Sequence, residues 1–565
     1  MKPCLAVVLG ALAACSSGGG SAPAPAAAPS RAAPAAARTT PEVTAADLTA
    51  RLGVFAHDSM LGREAGSIGN VKGTDYLAAE LTRMGVEPAG EHGTYFQTIP
   101  LGQRVLDTTA VMSIGSRVLV LGRDYLPLPN FEGFLPVGMR ASLDGTVTVY
   151  GGRLGDTASS LTAEQWTGRL VLLLPPAGPV NPQAAIGRAV GHYQGAVGVA
   201  FTLLDFIPPE QQQFLRQPQE GMGMELPEGP LGVLVTASTA AALLGTAPET
   251  ARIGDVGPAI GGSFRFIVRP IQYPARNVIG LVRGSDPALR GQYVAVGAHN
   301  DHVGTGAPVD HDSLWAYNHV VRPLGAESPA RAATADERTR VRSLLDSLRA
   351  RRPPRVDSIF NGADDDGSGS VTVLEVAEAL ARSPAKPRRS ILFVWHTAEE
   401  SGLYGAAYFT EHPTVTRDSI VAQINMDMVG RGLASDIEGG GPNYMQIIGS
   451  RRLSTELGDL VESVNTRGGH GLTFDYAYDA DGHPQNYYCR SDHYMYARFG
   501  IPIVFFSSGS HQDYHQLTDE PEYIAYEKMA RFGRYVVDLV RAVADLDHRV
   551  VADKPKPDPK GQCQQ

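Results

Sequence analysis

Two adjacent carboxylates, Glu399 and Glu400, stand in the stretch ILFVWHTAEESGLYGA. They follow an apolar run, Ile391 to Trp395, which is rich in strand-forming residues, so both acids are expected at the exit of a strand. Because successive residues leaving a strand point in different directions, one carboxylate can bind a metal while its neighbour acts as a base on metal-bound water. Taken alone, the pair also fits a solvated acidic turn.

Other potential metal ligands occur where further strands are predicted to end. They are His299 and Asp301 after YVAVGA, Asp364, Asp365 and Asp366 in DDDGSGS, Asp427 after QINM, Asp492 in RSDH, and His515 in SSGSHQDYHQLTD. Each is weak evidence alone, since a histidine at a strand end is often structural and an aspartate before Gly-Ser-Gly is usually a turn or helix cap. Together they supply imidazoles and carboxylates from separate strands, which is the ligand set expected for zinc.

Strand-like and helix-like patterns alternate over most of the chain. Apolar runs such as NVIGLV, YVAVGAH and IPIVFFSS are separated by helical patterns near 370–382, 452–466 and 524–545. This alternation predicts a mostly parallel sheet covered by helices on both faces. Ligands of such sheets collect at the carboxyl ends of the strands, where the candidate residues are predicted to lie.

Two segments interrupt this pattern. Residues 136–267 contain short apolar runs split by Gly and Pro, which predicts a strand-rich insert between 41–135 and 268–548 of the main domain. Residues 314–356 are rich in arginine, and Val341, Leu344, Leu345 and Leu348 are spaced as one face of a helix. We expect a surface helix docked on the body here in preference to a lid over the site.

The N-terminus has the features of an export signal. Residues 1–15 combine a lysine with an apolar core and end in LAAC, which resembles a bacterial lipobox. We therefore expect export and lipid attachment at Cys15, on a bacterial membrane facing the periplasm or the cell exterior; an ordinary cleaved signal is the alternative. Residues 16–40 are mainly Gly, Ser, Ala and Pro and predict a flexible tether.

Length and composition limit the remaining possibilities. The chain has 565 residues and a net charge of −10, so two or more domains are expected, and nucleic acid is excluded as a partner because no basic block is present. After signal removal Cys15, Cys489 and Cys563 would remain, and no disulfide framework is expected. Residues 549–565 are polar and rich in Pro and Lys, which predicts disorder.

Six stretches together are similar to the M28 family of co-catalytic dizinc exopeptidases, which includes secreted bacterial aminopeptidases. They are GAHNDH, NGADDDGSGS, TAEESGLYGA, NMDMVGR, RSDH and DYHQLTD, in the family's order. The resemblance covers 41–135 and 268–548 and implies a three-layer α/β/α fold with a mixed, mostly parallel central sheet. The 136–267 insert resembles the protease-associated (PA) domain that many members carry at this point.

The resemblance also implies a metal centre with two Zn²⁺ ions per chain. By motif, His299 and Asp427 would hold one zinc, Glu400 and His515 would hold the other, and Asp365 would bridge them. In the family the bridging Asp is joined to the next residue by a cis peptide bond.

Further roles are implied for residues beside the metals. Glu399 would be the general base that moves a proton from the attacking water to the leaving amine. Asp301 would orient the imidazole of His299 from behind. Tyr488 would stabilise the tetrahedral oxyanion, with Tyr514 as its rival for that role.

The implied function is an exported aminopeptidase that acts on peptide substrates. A glutamate carboxypeptidase-like exopeptidase and an aminoacyl-glutamine cyclising enzyme share the scaffold. A calcium-binding protein is an alternative of another class, because Asp364 to Glu375 also fits an EF-hand loop, although Pro353 and Pro354 break the chain before it. A catalytically inactive family member that acts as a binding protein is a third alternative.

Overall fold

The computed structural model describes residues 39–107, 111–128, 140–156, 161–178, 182–207, 221–224, 230–329, 331–559, 563 and 565. The predicted signal at 1–15 and nearly all of the predicted tether at 16–40 lie outside these residues. The chain divides into a smaller unit, built on Pro100–Ile271, and a larger unit that contains Gln272–Pro559. The described residues before Pro100 belong to the larger unit. None of the helices in the described ranges is both long and apolar enough to cross a membrane.

The larger unit is built on a nine-stranded mixed sheet. From edge to edge the order is Glu87–Pro88, Ala275–Val282, Ser390–His396, Tyr293–His299, Ile420–Met426, Ile503–Ser507, Tyr444–Ile448 and Thr473–Asp475, and Phe96–Ile99 also pairs with Ala275–Val282. The third to sixth strands in this order are parallel to one another, and the pairs that flank them are antiparallel. The predicted mixed sheet is confirmed, with its parallel pairing concentrated at the centre.

Side chains of the central strands alternate between two helical layers. The indole N–H of Trp395 donates to a backbone carbonyl of helix Gly369–Arg382 at 3.0 Å. The next residue, His396, points to the opposite face, where its ring meets those of Phe409 and Tyr496 edge-on. Since neighbouring residues of a strand face opposite sides, helices cover both faces and the three-layer prediction is confirmed.

The two helical layers differ in size. One contains Ala45–Phe55, Ile68–Met84, Gly369–Arg382, Thr455–Arg467 and Tyr526–Ala544, and the other contains Tyr404–Glu411 and His493–Ala497. Helix Tyr526–Ala544 shows why the first layer forms, because Phe532, Val536, Leu539 and Val543 recur at helical spacing and are fully buried in the common core.

The predicted insertion at 314–356 is a helical hairpin. Helices His311–Val321 and Ala335–Arg349 pack on each other and connect to the body through a two-stranded ribbon, Thr305–Asp310 with Val356–Ile359. The second helix has no fully buried residue, and its predicted apolar face is half-buried. The expectation of a docked surface helix fits this second helix.

The C-terminal tail, 549–565, was expected to be disordered; most of its described residues are exposed, but several contact the larger unit. Val550 is only 3 % exposed, and the Asp553 carboxylate accepts the N–H of Thr455 at the start of a helix. Cys563 forms a disulfide with Cys489, 74 residues earlier. The expectation of no disulfide was therefore wrong, because the pairing depends on a path of the tail that the cysteine count does not reveal.

The smaller unit is strand-rich, as the insert was predicted to be. Its strands are Gly102–Leu106, Met112–Ile114, Arg117–Val118, Tyr125–Leu128, Arg140–Ser142, Val147–Arg153, Leu170–Leu174, Gly198–Phe201, Gly221–Gly223, Leu231–Val235 and Val256–Pro270, and its helices are Ala163–Trp166, Pro182–His192 and Ala237–Leu244. The unit begins before the predicted boundary at residue 136, because its first two strands pair with Val256–Pro270. Its assignment as a PA domain stays a prediction.

Candidate metal centre

The predicted ligands lie at the carboxyl ends of the parallel strands of the larger unit. His299 ends one strand, Asp427 directly follows another, Glu399 and Glu400 leave a third, and His515 lies in the loop after the fourth. Asp365 lies in the turn that opens helix Gly369–Arg382. The sheet therefore brings together residues that are far apart in sequence, at the edge where such sheets bind ligands.

Asp365 lies between two imidazoles. Its Oδ1 is 3.1 Å from Nε2 of His299, and its Oδ2 is 2.9 Å from Nε2 of His515. On one side Asp427 Oδ1 is 3.6 Å from the same His299 nitrogen, and on the other Glu400 Oε2 is 2.9 Å from the His515 nitrogen. Two groups of candidate ligands thus share Asp365, in the arrangement that a bridging carboxylate requires.

The structure distinguishes the three consecutive aspartates. The carboxylate of Asp366 accepts the backbone N–H groups of His299, Gly369 and Met428, at 2.9 to 3.2 Å. Asp364 accepts the N–H of Gly430 at 2.7 Å and lies 3.2 Å from Nε2 of His511. The carboxylate of Asp365 instead faces the two imidazoles of the centre, as assigned. The peptide bond between Asp365 and Asp366 is cis.

Glu399 lies beside the candidate ligands. Its Oε2 is 4.0 Å from Nε2 of His299. Burial raises the pKa of the Glu399 carboxyl well above its usual range; His299 opposes this shift, and the carboxylates of Asp427 and Glu400 add to it. A buried carboxyl with high proton affinity next to candidate ligands suits the role of a general base.

Neighbouring groups orient two of the ligands. Nδ1 of His299 is 3.1 Å from the backbone carbonyl of Asp301 and 3.8 Å from its carboxylate. Because a carbonyl only accepts, Nδ1 is the donor in this contact, and Nε2 is the nitrogen that faces the centre. The Ser491 hydroxyl donates to Asp427 Oδ2 at 2.8 Å. Asp301 therefore orients His299 as expected, with its carbonyl making the closer contact.

Neighbouring imidazoles set the charge of two carboxylates of the centre. Burial opposes ionisation of Asp365, yet the imidazoles of His299 and His515 hold the pKa of this carboxyl well below its usual range. Burial and Asp365 also oppose ionisation of Glu400, but His515 and a further imidazole, His302, lower its pKa to about 2. The imidazoles therefore favour the ionised forms of Asp365 and Glu400.

The donor set fits zinc. Three atoms of the centre are buried and make no well-directed hydrogen bond to any described residue, despite their close contacts with one another. They are Nε2 of His299, Nε2 of His515 and Oδ2 of Asp365. Ligand atoms of His299, Asp365 and Asp427 lie within 4.8 Å of one another. Imidazole nitrogens and carboxylate oxygens are the ligands that zinc takes in catalytic sites, so the residues present fit the metal that the sequence implied.

Sequence analysis missed one imidazole of this centre. His302 is 1 % exposed, its Nδ1 is 2.7 Å from Glu400 Oε1, and it lies 3.9 Å from Asp365 Oδ2. The signal was present, because GAHNDH places a second histidine directly after Asp301.

The phenol beside the centre is Tyr514. Its ring stacks on His515 with centroids 4.0 Å apart, and Arg490 donates to its hydroxyl at 3.2 Å. The ring of Tyr488 packs under the guanidinium of Arg452, at 4.6 Å. The role of Tyr488 therefore stays a prediction, and the contact with His515 favours its rival Tyr514 as the candidate oxyanion donor.

Other acidic residues that the sequence singled out lie outside the centre. The EF-hand reading needs Asp364 and Glu375 to converge on one cation, but Glu375 Oε1 is 2.8 Å from Nε of Arg51 in the helical layer. Asp492 is fully buried and pairs with Nδ1 of His396 at 3.1 Å. The geometry therefore gives no support to a calcium loop.

The helical hairpin reaches the loop that carries His515. Asn318 donates to the side-chain carbonyl of Gln516 at 3.4 Å. The N–H of Ala326 donates to the carbonyl of Tyr514 at 3.1 Å. The hairpin is thus more than a surface decoration, because it contacts residues on both sides of a candidate ligand.

A separate group of potential ligands already holds a cation. His311, Asp357 and Glu520 lie close together, and His311 Nε2 is 3.3 Å from Glu520 Oε1. The guanidinium of Arg355 is 3.0 Å from both Glu520 Oε2 and His311 Nδ1. An arginine therefore supplies the positive charge at this place.

Comparisons with known proteins agree with this geometry. The family model described as Peptidase family M28 matches residues 277–540. Leucine aminopeptidase 1 of Sclerotinia sclerotiorum is 26% identical over 239 residues, which is 41% of this chain and 57% of that protein. Leucine aminopeptidase 1 of Paracoccidioides brasiliensis is 30% identical over 192 residues, 32% of this chain and 47% of that protein. The chain thus spans about half the length of these curated relatives.

Solved structures are also similar to the chain. An aminopeptidase from Aneurinibacillus sp. strain AM-1 matches with 15% identity and a TM-score of 0.45, over 91% of this chain and 97% of that chain. A zinc aminopeptidase from Bacillus subtilis matches with 16% identity and a TM-score of 0.43, over 92% of this chain and 100% of that chain.

Proposed function

We propose that this protein, whose residues 277–540 are a peptidase family M28 domain, is a metal-dependent aminopeptidase that removes single amino acids from the N-terminal end of peptides. The proposal rests on the position of Asp365 between the imidazoles of His299 and His515, with Glu399 beside them. Two similar curated proteins are leucine aminopeptidases, which favours the N-terminal end of the substrate.

Two Zn²⁺ ions complete the proposed centre. His299 and Asp427 would hold one, Glu400 and His515 would hold the other, and Asp365 would be shared. When bound, the metal supplies Lewis acidity, which makes water available as a nucleophile at neutral pH. The lowered pKa values of the Asp365 and Glu400 carboxyls beside their imidazoles support a cation between these two residues.

The chain's own residues move the protons. Glu399 takes a proton from the water that attacks the carbonyl carbon and delivers it to the leaving nitrogen as the C–N bond breaks. The ring of Tyr514 stacks on His515, and its hydroxyl would donate to the oxygen that becomes negative in the tetrahedral intermediate. Arg490 holds this hydroxyl through its guanidinium.

A panel of peptides tests the proposed activity. Peptides with a free, blocked or absent α-amine, each with a free or amidated carboxyl end, are incubated with the purified chain with and without a zinc chelator. The proposal is supported if the first amino acid is released only from peptides with a free α-amine, and if the chelator stops this release. Release of the last amino acid from amine-blocked peptides would favour the carboxypeptidase-like alternative, and absence of turnover in every arm would favour a binding protein.

The sequence and one covalent bond support export. A disulfide joins Cys489 and Cys563, and disulfides persist in oxidising compartments. LAAC at Cys15 supports lipid anchoring on a bacterial membrane, towards the periplasm or the cell exterior. Cys15→Ser should shift the protein from the membrane fraction to the soluble fraction, and a variant that stays with the membrane would refute the anchor.

A further inference from the structure

The proposed ligand set leaves the imidazole of His302 without a role. The ring is buried in the loop that follows the strand ending at His299. The backbone N–H of His302 donates to the carbonyl of Arg63 at 3.3 Å, which fixes the loop. The ring packs closely on Gly362, where an added Cβ would lie 2.5 Å from it. A glycine at that position therefore leaves the space that the imidazole fills.

The two oxygens of Glu400 have different neighbours. Oε1 is 2.7 Å from Nδ1 of His302, and Oε2 is 2.9 Å from Nε2 of His515. Oε2 is thus the oxygen on the side of the candidate metal position, next to a second proposed ligand. Oε1 is turned towards an imidazole that the ligand set does not include.

Nδ1 of His302 is the donor in this contact. Nδ1 and Oε1 of Glu400 are 2.7 Å apart, which is hydrogen-bond distance, and a carboxylate that binds a metal has no proton to donate, so the oxygen accepts. The other ring nitrogen, Nε2, has no hydrogen-bond partner among the described residues. A buried nitrogen lone pair without a partner costs less than a buried N–H without one, which also places the proton on Nδ1.

The contact matches those that orient the other ligands. Ser491 donates to Asp427 at 2.8 Å and leaves the second oxygen of that carboxylate facing His299. In the same way, Nδ1 of His302 contacts Oε1 of Glu400 at 2.7 Å and leaves Oε2 facing His515. Partners of this kind fix ligand orientation in metal sites, and their loss typically lowers metal affinity about 10- to 100-fold.

We propose that His302 is a positioning residue, whose Nδ1–H holds Oε1 of Glu400 so that Oε2 alone faces the metal position shared with Asp365 and His515. The inference rests on the proposed function, because it needs a metal at that position. Loss of the imidazole should therefore weaken metal binding only at the position beside His515, while the other metal position should keep its affinity.

Three substitutions of one residue test the inference. His302→Asn keeps an amide donor near the place of Nδ1, whereas His302→Gln moves the donor to the place of Nε2. His302→Leu removes the donor and keeps most of the volume. His548→Leu, a change at a half-exposed histidine, is the control that should leave metal binding unchanged.

Metal affinity is the readout, measured on the purified full chain by competition with a chromophoric chelator. We expect two bound zinc ions in the wild type, with one of the two dissociation constants raised about 10- to 100-fold in His302→Gln and His302→Leu. His302→Asn should remain within a few-fold of the wild type. The absorption spectrum of the cobalt-substituted protein should keep the same coordination number in all three variants.

Two results would overturn the inference while leaving the proposed function intact. Unchanged dissociation constants in both His302→Gln and His302→Leu would show that the imidazole does not position Glu400. A His302→Asn variant as weak as His302→Leu, with an altered cobalt spectrum, would make His302 a metal ligand. A wild-type chain that binds no metal would overturn both proposals.

Discussion

Asp301 accepts the backbone N–H of Glu399 at 3.1 Å, while its own backbone carbonyl contacts Nδ1 of His299 at 3.1 Å. One residue therefore ties the proposed base to the first proposed metal ligand across two parallel strands. The register of those strands places His299 opposite His396, so the loops that carry both groups leave the sheet side by side. The distance between base and ligand is thus a property of strand pairing.

Replacement of Glu399 by Ala should separate catalysis from metal binding. Because Glu399 moves the proton and is not among the proposed ligands, we expect kcat to fall about 10²- to 10⁴-fold with both metals retained. Steady-state kinetics and metal analysis of the same preparation measure the two effects. Glu400→Ala is the matched comparison and should lose metal. An unchanged kcat in Glu399→Ala would remove Glu399 from the mechanism.

Two tyrosines offer a paired test of the oxyanion donor. Tyr514→Phe removes a hydroxyl beside His515, and loss of an oxyanion donor typically lowers kcat about 10²- to 10³-fold. Tyr488→Phe changes a phenol that packs under Arg452 and should leave kcat and KM close to wild type. Comparison of kcat for the two variants checks the assignment, and a larger loss in Tyr488→Phe would reverse it.

The positions of the candidate ligands at strand exits could be predicted from the sequence because apolar runs mark the strands. The apolar run from Ile391 to Trp395 ends just before Glu399, and the buried strand Ile420–Met426 ends just before Asp427. Parallel strands in one sheet present their carboxyl ends together, so these residues had to meet. The hydrophobic pattern thus determined the location of the centre.

The roles of residues within the loops could not be predicted in the same way. Asp364, Asp365 and Asp366 share one turn, and the distant loop after Asp427 supplies one backbone donor to Asp364 and one to Asp366. Tyr514 lies in a loop and Tyr488 in the three-residue helical turn Tyr487–Cys489, and neither is long enough for periodicity to give a side chain its direction. His302 is visible in the sequence, but its contact with Glu400 exists only after two strands pair.

The helical hairpin should influence catalysis through Glu327. Its carboxylate lies 2.7 Å from Arg490, which donates to the hydroxyl of Tyr514. Glu327→Gln keeps the shape but removes the charge that holds the guanidinium, so we expect kcat to fall several-fold, with zinc affinity unchanged. Arg331→Gln is a matched change at an exposed ion pair of the hairpin and should have no effect on kcat. Equal kinetics in the two variants would assign the hairpin a purely structural role.

The disulfide between Cys489 and Cys563 should stabilise the larger unit without taking part in catalysis. It closes a loop over a sequence separation of 74 residues and holds Cys563 next to the short helix Tyr487–Cys489. Crosslinks of this kind restrict the unfolded chain and typically contribute about 2–4 kcal/mol to the free energy of unfolding. We expect Cys489→Ser together with Cys563→Ser to lower the midpoint of urea unfolding while kcat and zinc content stay near wild type. Wild-type protein in a reducing agent should reproduce the same shift, and a midpoint that moves in neither case would show that the crosslink does not contribute to stability.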